Sequence, residues 1–316
     1  MTSYDYDLIV MGSGPAGQRA AIQASKLGRR TLVVERKGVV GGICTNTGTI
    51  PSKTLREAVM HLSGYRERGI YGSSYAVKQN ITMSDLHFRT DHVIRHEIDV
   101  LRHQLQRNRI ELATATAKFS DPHTISLEEE GGRGVRNVTA KKIVIATGTH
   151  ATRDASIPFD GQRILISDDI LTLKTLPRTM TVVGAGVIGL EYATIFAALG
   201  VRVTVIDKRT QLLPFLDREI TDNLGYHMHQ NRVTLRLGEE VCKIELTGDD
   251  KAEAGKEGEH GKKGERVKIT LASGKQIVTE KALYSIGRTG ATDTLNLEAA
   301  GIKPDDRGRL KVNAQF

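Results

Sequence analysis

The sequence has no tryptophan, and Phe and Tyr together make up 4% of its 316 residues. Proteins that bind single-stranded nucleic acid stack bases on aromatic rings, so that class of function has little surface here. Cysteine is also scarce. Cys44 and Cys242 are the two in the chain, and a pair so widely separated is no disulfide framework. A reducing compartment, the cytoplasm, suits them. No apolar run approaches the roughly 20 residues of a membrane span. Residues 1–7 are polar and acidic and lack the pattern of a secretory signal. The net charge of +8 serves nucleic acid, anionic surfaces or pyrophosphate ligands alike. Neither a nucleic-acid nor a membrane partner is expected. With 39% hydrophobic residues the chain has material for real cores, and its length suggests about two domains.

Two segments repeat one pattern. Tyr6-Asp7-Leu8-Ile9-Val10-Met11 reads as a buried parallel strand and enters Gly12-Ser13-Gly14-Pro15-Ala16-Gly17. A helix is expected from Gln18 to Leu27, stopped by Gly28, and then a strand from Arg30 to Glu35. Gly12 makes the tight turn, Gly14 lets a pyrophosphate approach the backbone, and Gly17 permits close helix packing. Pro15 and Ala16 lie within this glycine motif, and the N-terminus of the helix that follows faces the phosphate. Glu35, followed by Arg36, sits about 20 residues on, where an acid accepts from ribose hydroxyls. A lone GxGxxG is weak, but strand, helix and acid in this order make it strong.

The second copy begins with the strand Met180-Thr181-Val182-Val183 and enters Gly184-Ala185-Gly186-Val187-Ile188-Gly189. A helix to Leu199 and a strand ending at Asp207 follow, at the interval of the first copy. Lys208 and Arg209 come next. An acid suits a ribose 2′-hydroxyl, whereas cations suit a 2′-phosphate. Either the two cations are surface charges, or the site takes both kinds of nucleotide. One unit for FAD and one for a nicotinamide nucleotide is the simplest account of the pair.

Between the copies lies Gly41-Gly42-Ile43-Cys44-Thr45-Asn46-Thr47-Gly48-Thr49-Ile50-Pro51-Ser52-Lys53. Taken alone, Cys44 reads as a buried thiol in a Gly-rich turn. In its context the segment resembles the redox-active stretch of the two-dinucleotide flavoprotein reductases, with Thr49 where that pattern has its second cysteine. A disulfide needs two sulfurs within bonding distance, so the usual exit for electrons is missing. One Cys, a Thr and an intact Ile50-Pro51-Ser52-Lys53-Thr54-Leu55-Arg56 are similar to the soluble pyridine nucleotide transhydrogenases, class I pyridine nucleotide-disulfide oxidoreductases.

That resemblance implies an α/β fold of two Rossmann-like, doubly wound domains. The expected boundaries are 1–155 for FAD, 156–286 for NAD(P), and 287–316 as an incomplete return to the first domain. It implies FAD as cofactor and NAD(H) and NADP(H) as substrates, exchanging a hydride through flavin N5 in a ping-pong scheme. Lys53, Glu191 and Cys44 occupy the catalytic positions, with Lys53 stabilising charge on the flavin and Glu191 holding Lys53. Gly42, Thr49, and Thr147-Gly148 of an Ala-Thr-Gly turn fall on flavin-binding positions. Gly287-Arg288 falls near the nicotinamide half. Val187 stands where some relatives carry an aromatic residue over the flavin, which implies a less obstructed site. The family continues into a further Gly-Asp flavin motif and a C-terminal dimerisation domain, so the chain is expected to be C-terminally truncated. The family's homo-oligomer interface would then be absent. A dihydrolipoamide-dehydrogenase-like reductase, a non-catalytic nucleotide-binding fragment and a basic RNA-binding protein are the competing readings.

The remaining segments are less specific. Ile94, Ile98, Leu101 and Leu105 recur at helical spacing within residues 84–107. The other faces of that helix are rich in Arg and His, including His87, His92, His96 and His103. They read as a solvated face, with no metal constellation. A small antiparallel meander is expected over residues 110–127, with a hairpin tip over 128–135. Residues 248–265, charged and Gly-rich, read as an extended loop.

Overall fold

The computed structural model describes residues 4–72, 74–129, 134–247 and 266–316. In chain order the elements begin with β1 (Tyr6–Met11), α1 (Pro15–Lys26), β2 (Thr31–Glu35), α2 (Gly42–Asn46), α3 (Thr49–Leu62), α4 (Arg68–Tyr71) and α5 (Met83–Arg107). There follow β3 (Glu111–Asp121), β4 (Thr124–Glu129), β5 (Val135–Ile145), β6 (Thr149–Ala151), β7 (Ile164–Leu165), β8 (Thr179–Val183), α6 (Val187–Ala198) and β9 (Arg202–Asp207). The last are α7 (Arg218–Gln230), β10 (Thr234–Leu237), β11 (Val241–Thr247), β12 (Arg266–Leu271), β13 (Gln276–Thr279), β14 (Lys281–Tyr284) and β15 (Arg288–Gly290). The loop expected over 248–265 lies outside the described residues, as does part of the hairpin tip expected over 128–135.

The chain forms two compact units. One consists of Met1–Pro51, Thr90–His150 and Arg288–Phe316, the other of Ser52–Arg89 and Ala151–Gly287. Residues 52–89 thus group with the second unit, which a division into consecutive blocks of sequence does not anticipate.

In the first unit β3, β2, β1 and β5 pair in parallel. Period-two alternation buries both faces of this layer. Ile9 and Met11 point to a core with Leu32, Val34, Phe119, Ile125 and Leu127. Val10 and Val33 point to another, which takes Ala21 of α1 and Ile98 and Leu105 of α5. The two outer strands each serve a second sheet. Glu111–Thr114 at the start of β3 pair with β2, whereas Ala115–Phe119 pair antiparallel with β4. The first half of β5 pairs with β4 and its second half with β1, which closes the ring β1-β2-β3-β4-β5. The C-terminal segment packs here too: Phe119 N donates to Leu295 O at 2.8 Å and Asn296 Nδ2 to Phe119 O at 2.8 Å.

In the second unit the sheet order is β10-β9-β8-β14-β7, parallel throughout. One face packs Val182, Val203, Val205 and Leu283 against Leu190, Ala193 and Phe196 of α6 and Leu55 and Val59 of α3. Apart from Glu191 and Thr194, α6 is apolar or small on every side, as a helix buried within a core must be. The other face meets the antiparallel sheet β11-β12-β13 through Ile206, Tyr284, Ile244, Val267 and Ile269.

Helix α5 starts where a capping box starts it. Thr82 N donates to Asp85 Oδ2 at 2.8 Å, and Asp85 N to Thr82 Oγ1 at 3.3 Å. Arg89, His92, Arg95, His96, Arg102, His103 and Arg107 are exposed along it, so the basic face is solvated. No described helix is long and apolar enough to cross a membrane.

Candidate functional site

The two fingerprints adopt the same turn for the same steric reasons. Gly12 has φ +107° and Gly184 φ +105°, in the region that favours glycine. A Cβ on Gly12 would lie 2.4 Å from Ala146 O, and one on Gly184 2.7 Å from Ser285 O. In each case the neighbouring strand's end blocks the position. Gly17 and Gly189 sit one turn into α1 and α6, where a Cβ would come within 2.0 Å of Gly12 O and 2.1 Å of Gly184 O. The middle glycines differ. A Cβ on Gly14 or Gly186 would meet nothing within 4 Å. The protein itself does not require glycine there, whereas a ligand approaching the backbone does.

Gly14 and Gly186 are the N-cap residues of α1 and α6 and have extended backbones. Neither helix start has a side-chain cap. First-turn N–H groups therefore face outward with the positive end of the helix dipole, the arrangement that receives a pyrophosphate. Pro15 fits the first helical position because it has no N–H to leave unpaired. Pro15 and Ala16 are exposed, as is Val187 at the start of α6. The open space at Gly14 and the uncapped helix start fit a dinucleotide such as FAD.

The acids at the strand ends are engaged differently. Glu35 Oε2 accepts from Ser13 N at 3.1 Å and Ser13 Oγ at 2.5 Å, while Oε1 accepts from Lys37 N at 3.0 Å. Arg36 beside it is exposed. Asp207 accepts from Ala185 N at 2.7 Å and from Arg209 N at 2.8 Å. It also holds the Arg209 fork, with Nε 2.9 Å from Oδ1 and Nη2 2.7 Å from Oδ2. Burial pushes the Asp207 carboxyl up, but the guanidinium and the two main-chain donors outweigh it and hold the group below the usual carboxylate range. Lys208 is exposed.

Within the first unit the Gly41-Gly42 turn lies against the fingerprint. Gly41 N donates to Ser13 Oγ at 3.1 Å, and a Cβ on Gly42 would be 2.8 Å from Gly14 Cα. This turn starts α2 and places half-buried Cys44 on it. Thr49 begins α3 and is exposed. Both cysteines are free thiols.

Within the second unit Lys53 Nζ meets Glu191 Oε1 at 2.5 Å. Ser52 Oγ donates to Glu191 Oε2 at 3.2 Å. The Lys53 side chain is 59% exposed and that of Glu191 16%. The carboxylate is thus the fixed partner and the ammonium the outward one. Glu191 lies one helical turn after Val187, on the same face of α6.

Thr147 and Gly148 follow β5, and Gly148 O accepts from Ala291 N at 3.0 Å. Arg288, in the same unit, donates from Nε to Thr149 Oγ1 at 2.7 Å and from Nη2 to Thr149 O at 3.1 Å. Its guanidinium joins the segments that form β6 and β15. Gly287 lies in the second unit with φ +150°.

Sequence reasoning missed three contributors. Ser13 connects the fingerprint loop to Glu35, Ser52 completes the Glu191 contacts, and Ser285 packs against Gly184 and Gly189. A hydroxyl inside a glycine motif that must be buried was the available signal for Ser13. The second unit also holds a cleft of about 930 Å³ with Arg68, Lys78, Arg202 and Arg232 on its walls. The C-terminal ends of α3, α6 and α7 border it, and helix C-terminal carbonyls attract cations. Arg68 donates to Ser63 O and Tyr75 O, and Lys78 pairs with Asp85.

The family model described as pyridine nucleotide-disulphide oxidoreductase matches residues 6–316. A soluble pyridine nucleotide transhydrogenase of Mycobacterium tuberculosis is 50% identical over 312 residues, which is 99% of this chain and 63% of that protein. One from Colwellia psychrerythraea is 41% identical over 98% of this chain and 63% of its own length. The HOCl-induced flavoprotein disulfide reductase RclA from Escherichia coli superposes with a TM-score of 0.78 at 26% identity, over 98% of this chain and 62% of that structure. The chain spans about 63% of the length of the curated relatives named here. Its paired fingerprints and the match from residue 6 to residue 316 place it in one family: the chain belongs to the pyridine nucleotide-disulphide oxidoreductases.

Proposed function

We propose that the chain catalyses FAD-dependent hydride exchange between NADPH/NADP and NADH/NAD, as the names of its relatives suggest. The observation that carries this reading is Thr49. A hydroxyl stands five residues after Cys44, where a thiol relay would need its second sulfur. Electrons arriving here have no protein disulfide to reduce, so a second nicotinamide nucleotide is the acceptor.

When bound, FAD would supply the redox centre for hydride exchange between the two nicotinamide nucleotides, which would use the site in ping-pong order. The protein's own work is binding, orientation and charge. Gly12, Gly14 and Gly17 with the first turn of α1 would receive the FAD pyrophosphate. Glu35 would accept from its ribose, and Arg36, Gly42, Cys44, Thr49, Thr147 and Gly148 would border it. Gly184, Gly186, Val187 and Gly189 with the start of α6 would receive the nicotinamide nucleotide, alongside Asp207, Lys208 and Arg209. Gly287 and Arg288 complete the assignment. Lys53 would balance the negative charge that arrives with the hydride, and Glu191, held by Ser52, keeps the ammonium in place. A cytoplasmic location belongs to the same proposal, with homo-oligomerisation assigned to the full-length proteins of the family.

The test is to follow thio-NAD reduction by NADPH with the FAD-loaded chain, beside lipoamide and glutathione disulfide as alternative acceptors. The expected outcome is transfer to thio-NAD and none to either disulfide. Disulfide reduction, or a flavin-loaded chain inert toward thio-NAD, would refute the proposal.

A further inference from the structure

The following rests on the reading of the second fingerprint as the nicotinamide nucleotide site. In such a site the acid at the end of the second strand offers its outward lone pairs to the ribose. An ionised carboxylate has about four acceptor positions, and on Asp207 four donors fill them. Two are main-chain N–H groups, of Ala185 and Arg209. The other two are Nε and Nη2 of the Arg209 fork. Glu35 in the first unit has main-chain and hydroxyl donors, and Oε1 meets a single donor among the described residues. The first acid has an acceptor position left for a ribose, and the second has none while Arg209 stays in place.

The parts of this clamp are unequal. Asp207 is buried, 8% exposed, and tied to the fingerprint turn through Ala185. The Arg209 side chain is 42% exposed. The carboxylate is therefore fixed, and the guanidinium is the part that can leave.

We propose that Arg209 is a two-position specificity residue that lets one site accept nucleotides with a 2′-hydroxyl and with a 2′-phosphate. In the free protein it covers Asp207. A nucleotide with a free 2′-hydroxyl displaces the fork and puts the hydroxyl's donor on the carboxylate. A 2′-phosphate draws the same fork onto itself, because guanidinium pairs with phosphate in the bidentate geometry it uses with carboxylate. Asp207 then keeps its two main-chain donors, which blunt its repulsion of the phosphate. Both nucleotides must open the same clamp, so neither gains a large advantage. Without the guanidinium the balance splits: the bared acid favours NAD and opposes NADP.

The test is calorimetric titration of the FAD-loaded chain with NAD and with NADP, oxidised forms that bind without turnover. Arg209→Ala should tighten NAD about threefold and weaken NADP about tenfold, the size of one or two charge-assisted hydrogen bonds. Asp207→Asn, which frees the fork while keeping the shape, should tighten NADP and weaken NAD. A merely structural clamp would weaken both nucleotides in both variants, and that result overturns the proposal. Should Arg209→Ala fail to fold, Arg209→Lys serves, since it keeps the charge but loses the fork. It should tighten NAD while holding NADP within about threefold, and weakening of NAD contradicts the clamp. A wild-type chain that binds neither nucleotide refutes the site assignment, and the clamp's role with it. Binding of both with same-direction shifts refutes the clamp alone.

Discussion

The two fingerprints are built alike and finished differently. In both, the first glycine lies under a neighbouring strand end and the third under the first glycine's carbonyl, with Cβ approaches that agree within about 0.3 Å. The acids that complete them diverge. Glu35 is held by a serine and main-chain N–H groups, whereas Asp207 is covered by the guanidinium two residues on. The common part is steric and local, and the differing part is electrostatic. On the proposed assignment the first would set where a pyrophosphate lies and the second which ribose is accepted. The first site would then hold one resident nucleotide, and the second would take nucleotides that come and go.

The glycines break this comparison most sharply. Gly17→Ala and Gly189→Ala drive a Cβ into main-chain oxygen. Each should cost about 3 kcal/mol, seen as a lower midpoint in chemical denaturation. Gly14→Ala and Gly186→Ala place theirs in open space. Stability should stay within about 0.5 kcal/mol, but Gly14→Ala should lower FAD retention and Gly186→Ala nucleotide affinity. Equal stability losses at all four positions would show that the middle glycines serve the fold and leave no cradle for a ligand.

Next in size is the Lys53–Glu191 pair. Lys53→Met should reduce the turnover rate about 100-fold, the scale of a single preorganised charge at a reacting centre, with nucleotide affinity nearly unchanged. Glu191→Gln should follow it. Ser52→Ala, which removes one neutral hydrogen bond to the carboxylate, should cost about fivefold. A Lys53 variant with full turnover would remove it from the chemistry.

Asp207 can also be read by pH. The folded Asp207 carboxyl lies below its usual value, about 3.9 in an unfolded chain. Its pairing therefore adds stability above about pH 4, and this is lost as pH falls through the folded value. Wild type should exceed Asp207→Asn in stability at neutral pH, and the gap should close below pH 4. A gap that persists in acid would mean the variant acts through packing. The smallest effect belongs to Lys208. Lys208→Ala should weaken NADP about twofold to threefold and leave NAD unchanged, as for one exposed cation.

Much of this was legible in the sequence. Steric demands on Gly12, Gly17, Gly184 and Gly189 are local, so strand, glycine motif and helix show in the residue order. The Lys53–Glu191 pair was legible only through family resemblance, since nothing local links residues so far apart. Three features were not legible. The period-two pattern of β3 and β5 is the same whether a strand serves one sheet or two, so their switch between sheets leaves no mark. The grouping of residues 52–89 with the second unit depends on where Leu55 and Val59 find their partners. The cover on Asp207 is a side-chain conformation. Asp207, Lys208 and Arg209 show that an acid and cations are adjacent, but not that one cation fills the acceptor positions of the acid.

The central claim is that the first fingerprint, as it stands in these 316 residues, is a working flavin site. The direct measurement is the visible absorption spectrum of the purified chain after one equivalent of FAD is added and unbound flavin is filtered away. The account predicts flavin bands retained with the protein at close to one per chain. A colourless protein with all flavin in the filtrate would contradict it.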